Sequence, residues 1–288
     1  MSIAKSSLVA ISRLSWKLRV SNKILKKSRM ENNLKKDNNN IDAANLKVLE
    51  DLSGDWWDPN SEVICLHSIN PVRISLIRDE LINTGRIKAA DRNKPDVLKG
   101  FHILDVGCGA GVLAEPLARM GAKITAIDPS EVLIKVAKEH LGNEPLDIEY
   151  MVQYIEEHSI NNPEKYDVVI ASEVIEHVPD QRALLDELSK CVKPNGSIFI
   201  TTPNRTLISW FGMLIAEHIL GILAKGAHDW YHFIRPSEVE KILNEKNCKT
   251  VAVRGIWYTP FFNIYNIIRY AGMHYGLHAI KQENKKNK

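Results

Sequence analysis

The stretch Ile103-Leu-Asp-Val-Gly-Cys-Gly-Ala-Gly111, followed by Ile127-Asp128 at the end of the next apolar run, decides the fold of this 288-residue chain. A short apolar strand runs straight into three glycines spaced G-x-G-x-G. A helix is predicted over Val112 to Arg119, and a second strand over Lys123 to Ile127 is closed by an acid. Glycine lets the backbone turn tightly and approach a ligand, because no Cβ stands in the way. Asp128 stands where a strand-end carboxylate can accept hydrogen bonds from both hydroxyls of a ribose. This is the pattern of a nucleotide-cofactor site.

The residue before the glycines narrows the cofactor. A dinucleotide loop reads G-x-G-x-x-G, and its pyrophosphate sits on a helix N-terminus with no anion nearby. Here the spacing is G-x-G-x-G and Asp105 precedes it. Asp105 repels a phosphate and attracts a cation such as the amino group of a methionine moiety. The pattern Leu104-Asp-Val-Gly-Cys-Gly-x-Gly111 resembles the first motif of the Rossmann-like S-adenosylmethionine-dependent methyltransferases. In that family the glycine loop holds the methionine part, and the acid after the second strand, here Asp128, binds the ribose. A glycine-rich turn that merely reverses the chain, and an NAD site, are the competing readings.

Charge is distributed unevenly. The chain carries +3 overall, but residues 1–36 hold ten Lys or Arg against Glu31, and residues 281–288 hold four Lys against Glu283, leaving the remainder at −9. Nucleic-acid binders concentrate basic charge on the folded domain; this chain does the reverse, which argues against a nucleic-acid partner. The first thirty residues contain seven serines and no acid, with Leu8, Ile11, Leu14 and Leu18 at helical spacing. A basic, Ser-rich, acid-poor amphipathic start reads as a mitochondrial transit peptide, the alternative being a disordered basic arm. Residues 1–40 are therefore assigned to a transit peptide and linker, and 41–288 to one domain. Cys65, Cys108, Cys191 and Cys248 are widely spaced, which gives neither a disulfide framework nor a C-x-x-C zinc pair.

Helices are predicted over Ile41–Leu52 and Ile74–Asn83, the core begins near Phe101, and strands are predicted at 101–106, 123–127, 148–153, 167–171, 197–201 and 250–254. Short apolar runs alternating with helical stretches predict an α/β fold, a Rossmann-like doubly wound and mostly parallel sheet with helices on both faces. Ligands of such sheets lie beyond the carboxyl ends of the strands. In methyltransferases of this fold the position after the third strand lies near the adenine, so the resemblance makes Gln153-Tyr154-Ile155 its candidate neighbour, with a merely solvent-facing strand end as the alternative.

The fourth strand ends in Ser172-Glu173-Val-Ile-Glu176-His177-Val-Pro-Asp180. Ser172 is expected beside the cofactor. Glu173, Glu176 and His177 fall within one helical turn, so they are expected to converge. Two carboxylates and an imidazole suit a divalent cation with open positions, which can bind adjacent oxygens of a catechol and lower the pKa of the attacking hydroxyl. Spacing alone leaves three readings open: a metal site, His177 as general base, or a structural turn. Glu173 and His177 are the candidate catalytic residues.

A wider resemblance bears on the choice. Trp56-Trp57-Asp58, His67-x-x-Asn70-Pro71-x-Arg73, the glycine loop, Glu173-x-x-Glu176-His177-Val-Pro-Asp180, Val192-Lys-Pro-x-Gly196 and Thr202-x-Asn204-Arg205 together resemble the ubiquinone biosynthesis O-methyltransferase family, over roughly residues 45–270. The resemblance implies that Arg73, Gly107, Asp128 and Ser172 bind S-adenosylmethionine and that Glu173, Glu176 and His177 hold a magnesium ion. It further implies methylation of catechol-type hydroxyls on a polyprenylated dihydroxybenzoate and on a demethylated ubiquinol. Eukaryotic members work peripherally on the matrix side of the mitochondrial inner membrane, within a multiprotein complex. A same-fold enzyme for another acceptor and a non-catalytic cofactor-binding scaffold are the rival functions.

One segment falls outside these motifs. Residues 207–224 are almost wholly apolar, but Glu217 and His218 sit past the middle, and a charge at bilayer depth costs a few kcal/mol. The segment is read, within an insertion at 207–235, as a helix that dips into a membrane surface or guides a polyprenyl tail, with a buried cover helix or dimer contact as the alternative. His228 and His232 are candidates for the substrate mouth.

Overall fold

Parallel pairing builds the half of the sheet that carries the glycine loop. The fold is described from a computed structural model, which covers residues 40–58, 61, 63–215, 230–259 and 264–283. The transit-like segment lies outside the described residues, as do residues 216–229 of the apolar insertion. Strands β1 (His102–Val106), β2 (Lys123–Asp128), β3 (Ile148–Val152), β4 (Tyr166–Ser172) and β5 (Val192–Pro203) pair in parallel. Three further strands, β6 (Cys248–Thr259), β7 (Ile264–Ile268) and β8 (His274–Lys281), extend the sheet antiparallel. The order is β3-β2-β1-β4-β5-β8-β6-β7.

Side chains alternate across the strands, as a period of two requires. Ile103, Val168, Ile170 and Phe199 pack to one face with Leu117 and Ile134. Leu104, Val169, Ile198 and Ile200 pack to the other with Leu184, Leu188 and Leu243. The sheet is thus covered on both faces, by helices α3 (Ala114–Arg119) and α4 (Glu131–Leu141) on the first and α6 (Gln181–Cys191) and α8 (Pro236–Glu245) on the second. Each fully buried Leu, Ile or Val contributes roughly 1.5–3 kcal/mol. Helix α5 (Ile155–Asn161) packs beside α6.

The doubly wound, mostly parallel architecture is as predicted, with local differences. Helix α1 (Ala43–Asp51) falls within the predicted range, but α2 spans Ile64–Asn83 and begins ten residues earlier than expected. Pro71 lies inside α2 rather than before it, so His67, Asn70 and Arg73 project from a helix and not from a loop. Strands β7 and β8 were not anticipated. Of the insertion, the described parts are α7 (Leu207–Ile215) and residues 230–235, which include a 3₁₀ turn at Trp230–His232. Among the described residues no helix is long and apolar enough to cross a membrane.

Candidate active site

Gly107 and Gly109 follow β1 in left-handed backbone, at φ 68° and 54°. A Cβ on Gly107 would stand 2.5 Å from the Val174 side chain, and one on Gly109 would stand 2.5 Å from the Trp56 ring. The loop is therefore glycine because its backbone is covered on two sides. It turns back onto Asp128, whose Oδ2 accepts from Gly109 N at 2.9 Å and whose Oδ1 accepts from Ser130 N at 2.9 Å. Burial pushes the Asp128 carboxyl up to about 6 against these two backbone donors. Each oxygen keeps capacity for a further hydrogen bond, as a ribose diol requires.

Asp105 is buried, and burial lifts it to about 7 against the pull of the Arg73 charge. Its Oδ2 has no partner among the described residues, and neither has Nε of Arg73. The remaining Arg73 nitrogens are used: Nη1 donates to Ser172 Oγ at 3.0 Å, and Nη2 to the Leu66 carbonyl at 2.7 Å and to Asn70 Oδ1. Asn70 in turn donates to the Val112 carbonyl at 2.6 Å. The Asn-Pro-x-Arg element thus ties α2 to the end of the glycine loop and to the end of β4. A buried acid and a buried guanidinium with open hydrogen-bonding capacity match the ammonium and carboxylate of a methionine moiety.

The Trp-Trp element holds the loop from outside. The Trp56 ring covers Gly109. Trp57 Nε1 donates to the Ala110 carbonyl at 3.1 Å, and its ring stacks on His140 at 3.4 Å. The imidazole of His67 sits 2.7 Å from the Trp56 carbonyl.

At the end of β4 the three expected metal ligands stand on an irregular turn. Glu173 has φ 58°, a left-handed conformation, and Ile175–His177 form a 3₁₀ turn. The Glu173 carboxylate faces Thr201 Oγ1 at 2.7 Å and His274 Nε2 at 2.8 and 3.0 Å. Burial pushes Glu173 up, but His274 and Arg73 outweigh it and hold the carboxyl at about 2. Glu176 is buried on Thr202 Oγ1 at 2.9 Å. Burial and then the Glu173 charge push it well above the usual carboxylate range. The two carboxyls are thus pushed in opposite directions. Among the described residues no three His, Cys, Asp or Glu side chains are disposed to hold one metal ion. The last residue of the motif, Asp180, caps α6 through Ala183 N at 3.0 Å.

Arg73, Gly107, Asp128, Ser172, Glu173 and His177 all line one cavity of about 330 Å³; Glu176 lies outside its lining. So do Gln153, whose side chain is held by His158 at 2.7 Å, and His232, although the neighbouring Phe233 reaches the cavity. His228 lies outside the described residues. Sequence reasoning missed His274, Tyr258, Tyr265 and Met273, which close the far end, and residues 41–49, which close the cofactor end.

Known proteins agree with this geometry. A methyltransferase-domain family matches residues 75–253. The mitochondrial ubiquinone biosynthesis O-methyltransferase of Rattus norvegicus is 39% identical over 245 residues, covering 84% of this chain and 70% of that protein. The Coxiella burnetii ubiquinone biosynthesis O-methyltransferase is 36% identical over 237 residues, covering 82% of this chain and 94% of that protein. Among solved structures, magnesium protoporphyrin IX methyltransferase from Synechocystis with bound S-adenosylmethionine superposes with a TM-score of 0.51 at 18% identity, covering 83% of this chain and 97% of that one, a likeness of fold. The cofactor of this site is S-adenosylmethionine, and the chain belongs to the ubiquinone biosynthesis O-methyltransferase family.

Proposed function

We propose that the chain transfers a methyl group from S-adenosylmethionine to a catechol-type hydroxyl of polyprenylated ubiquinone precursors, a dihydroxybenzoate and a demethylated ubiquinol. The observation that carries the reading is the continuity of one cavity from Asp105 and Asp128 to the Glu173–His274 pair and on to an apolar end at Tyr265 and Met273. A cofactor end, a polar junction and an oily end, in that order, suit a ring hydroxyl presented to a sulfonium with a hydrophobic chain trailing away.

The transfer is an in-line displacement. The acceptor oxygen attacks the methyl carbon as the carbon–sulfur bond breaks, giving a methyl ether and S-adenosylhomocysteine, and the hydroxyl proton passes to a base. We assign that base to His177, which lines the cavity on the turn after β4. Arg73, Ser172 and Asp128 fix the cofactor, and the Glu173 charge orients the acceptor hydroxyl. Alignment and a deprotonated nucleophile are the main catalytic contributions for such a reaction.

Magnesium enters the proposal as a bound ion, with no step of the transfer routed through it. Its support is the motif resemblance and Glu176 Oε1, buried without a hydrogen-bond partner among the described residues next to the Glu173 charge. An ion on Glu173 has to displace His274. Calorimetric titration with magnesium should release a proton from Glu176; no heat and no proton release reject the ion.

The basic segment at 1–36 and the mitochondrial relatives support import into mitochondria. The exposed Leu207 and Phe211 on α7 support peripheral contact with the matrix face of the inner membrane, alongside other ubiquinone-biosynthesis proteins in a complex. The deciding experiment offers the purified protein S-adenosylmethionine and a panel of catechols, with products identified by mass spectrometry. Methylation of other acceptors alone overturns the reading.

A further inference from the structure

We propose that Tyr265 is the platform on which the aromatic ring of the acceptor lies, in a chamber that β6, β7 and β8 build beside Glu173. The inference rests on the catechol reading above and specifies how that acceptor is held. Its ligand class is a planar, electron-rich ring with an apolar chain.

The cavity does not end at the cofactor. Past Arg73, Ser172 and Glu173 its lining continues with Cys65, Ile69, Ile256, Tyr265 and Met273. Strands β6, β7 and β8 supply Ile256, Tyr258, Tyr265 and His274 to this lining. They are antiparallel additions after β5, so the acceptor half is built by a separate element from the parallel strands that build the cofactor half.

Within that element Tyr265 is braced by two sets of contacts. It sits opposite Tyr258 in the β6–β7 ladder, and the two rings stand 4.6 Å apart at 34°. The Tyr265 side chain also packs against the cluster of Ile69, Val72 and Ile256. A ring braced by a second ring and an aliphatic floor presents its open face at low entropic cost. Stacked aromatic pairs prefer centroid separations of roughly 4.5–7 Å.

The polar edge and the exit fit the same ligand. Glu173 and His274 lie next to the chamber and can receive ring hydroxyls. On the opposite side, the Met273 methyl occupies the space where Gly212 of α7 would carry a Cβ. The turn before β8 is fastened there: Asn204 Nδ2 donates to the Ala271 carbonyl at 2.6 Å, and Asn204 N donates to the Met273 carbonyl at 2.9 Å. A chain leaving the chamber past Met273 meets α7, whose Leu207 and Phe211 are 71% and 58% exposed.

The test uses the full chain and a catechol carrying a short prenyl tail. Tyr265→Ala should raise KM for the catechol on the order of tenfold, the size expected of one lost stacking contact. The affinity for S-adenosylmethionine, by calorimetry, should not change, and Tyr265→Phe should keep KM within about twofold. Circular dichroism melts of Tyr265→Leu separate loss of the ring from loss of the fold. An unchanged KM in Tyr265→Ala, or an equal fall in cofactor affinity, overturns the proposal. Calorimetry of the catechol with the S-adenosylhomocysteine complex reads the same contrast without turnover. Binding that depends on Tyr265 in a protein that methylates no catechol keeps the platform and rejects the reaction. A wild-type complex that binds no catechol rejects the platform.

Discussion

His274 Nε2 lies 2.8 and 3.0 Å from the two carboxylate oxygens of Glu173, joining the start of β8 to the end of β4 across the strand that separates them. That strand, β5, adds Thr201 Oγ1 to the same carboxylate at 2.7 Å. Three neighbouring strands thus converge on one half-buried charge at the junction of the cofactor and acceptor ends.

Removing His274 should therefore impair turnover more than folding. A hydrogen bond to a charged group contributes about 1.5–3 kcal/mol, which corresponds to roughly 10- to 150-fold if it acts on the bound transition state. We expect His274→Ala to lower kcat within that range while leaving the affinity for S-adenosylmethionine within about twofold. His274→Gln, which keeps a donor, should recover part of the loss. Steady-state kinetics with calorimetry checks this, and a His274→Ala enzyme with full kcat would remove Glu173 orientation from the mechanism.

Cofactor affinity should depend on pH. Burial raises Asp105 to about 7 and Asp128 to about 6 in the free protein, so both bind protons more tightly folded than unfolded. That term stabilises the free fold fully below about pH 4, and the stabilisation is lost as pH rises through the folded values. A cationic cofactor favours the ionised acids, so its binding expels protons below pH 7. Affinity for S-adenosylmethionine should climb from pH 5.5 to 7.5, by up to about tenfold per unit for each proton released, and then level off. The melting shift given by S-adenosylhomocysteine should grow over the same interval. An affinity flat across it would show that neither acid changes its protonation on binding.

Gly109 of the cofactor loop lies against the Trp56 ring. Gly109→Ala adds a methyl group against the Trp56 ring and forces alanine to φ 54°. A non-glycine residue in left-handed backbone costs on the order of 1–2 kcal/mol, and displacement of Trp56 adds to it. Thermal melts should fall accordingly, and S-adenosylmethionine affinity should drop at least tenfold. Gly109→Ala in a Trp56→Ala background should recover part of the affinity, because the clash is gone. If the double variant binds no better than Gly109→Ala, backbone strain alone explains the loss.

The legible parts of this chain are those in which local chemistry and tertiary role coincide. The apolar run into Gly107 and Gly109, and the acid ending β2, mark the cofactor loop because strand, turn and ligand contact are consecutive in sequence. The backbone of Glu173–His177 is not legible in the same way: the spacing suggests one helical turn, whereas Glu173 is left-handed and the following turn is 3₁₀. The helix expected from Ile74 begins at Ile64, with Pro71 inside it. Strand β8 was hidden because His274 and His278 stand among its apolar residues, although Tyr275, Leu277 and Ala279 alternate into the core. The acceptor chamber depends on that strand, so it was not visible in the sequence.

Residues 40–57 cross the cofactor end of the cavity as a strap held at three points. The Asn40 side chain and the Asp180 backbone exchange two hydrogen bonds of 2.6 Å, Ser130 Oγ donates to Glu50 Oε1 at 2.7 Å, and the Trp56 ring covers Gly109. Leu46, Leu49 and Leu52 line the cavity between these points. The middle contact joins the strap to the turn that presents Asp128, so release of the cofactor should require it to open. A net hydrogen bond of about 1 kcal/mol corresponds to a change of roughly fivefold in rate. Glu50→Ala should therefore speed S-adenosylmethionine dissociation by about that factor, whereas Glu50→Gln, which still accepts from Ser130, should stay near the wild-type rate. Stopped-flow fluorescence reads both, since Trp56 and Trp57 lie in the moving segment. Equal dissociation from wild-type and Glu50→Ala proteins would show that the cofactor leaves without disturbing this latch, and the opening would then lie on the acceptor side, beyond Glu173.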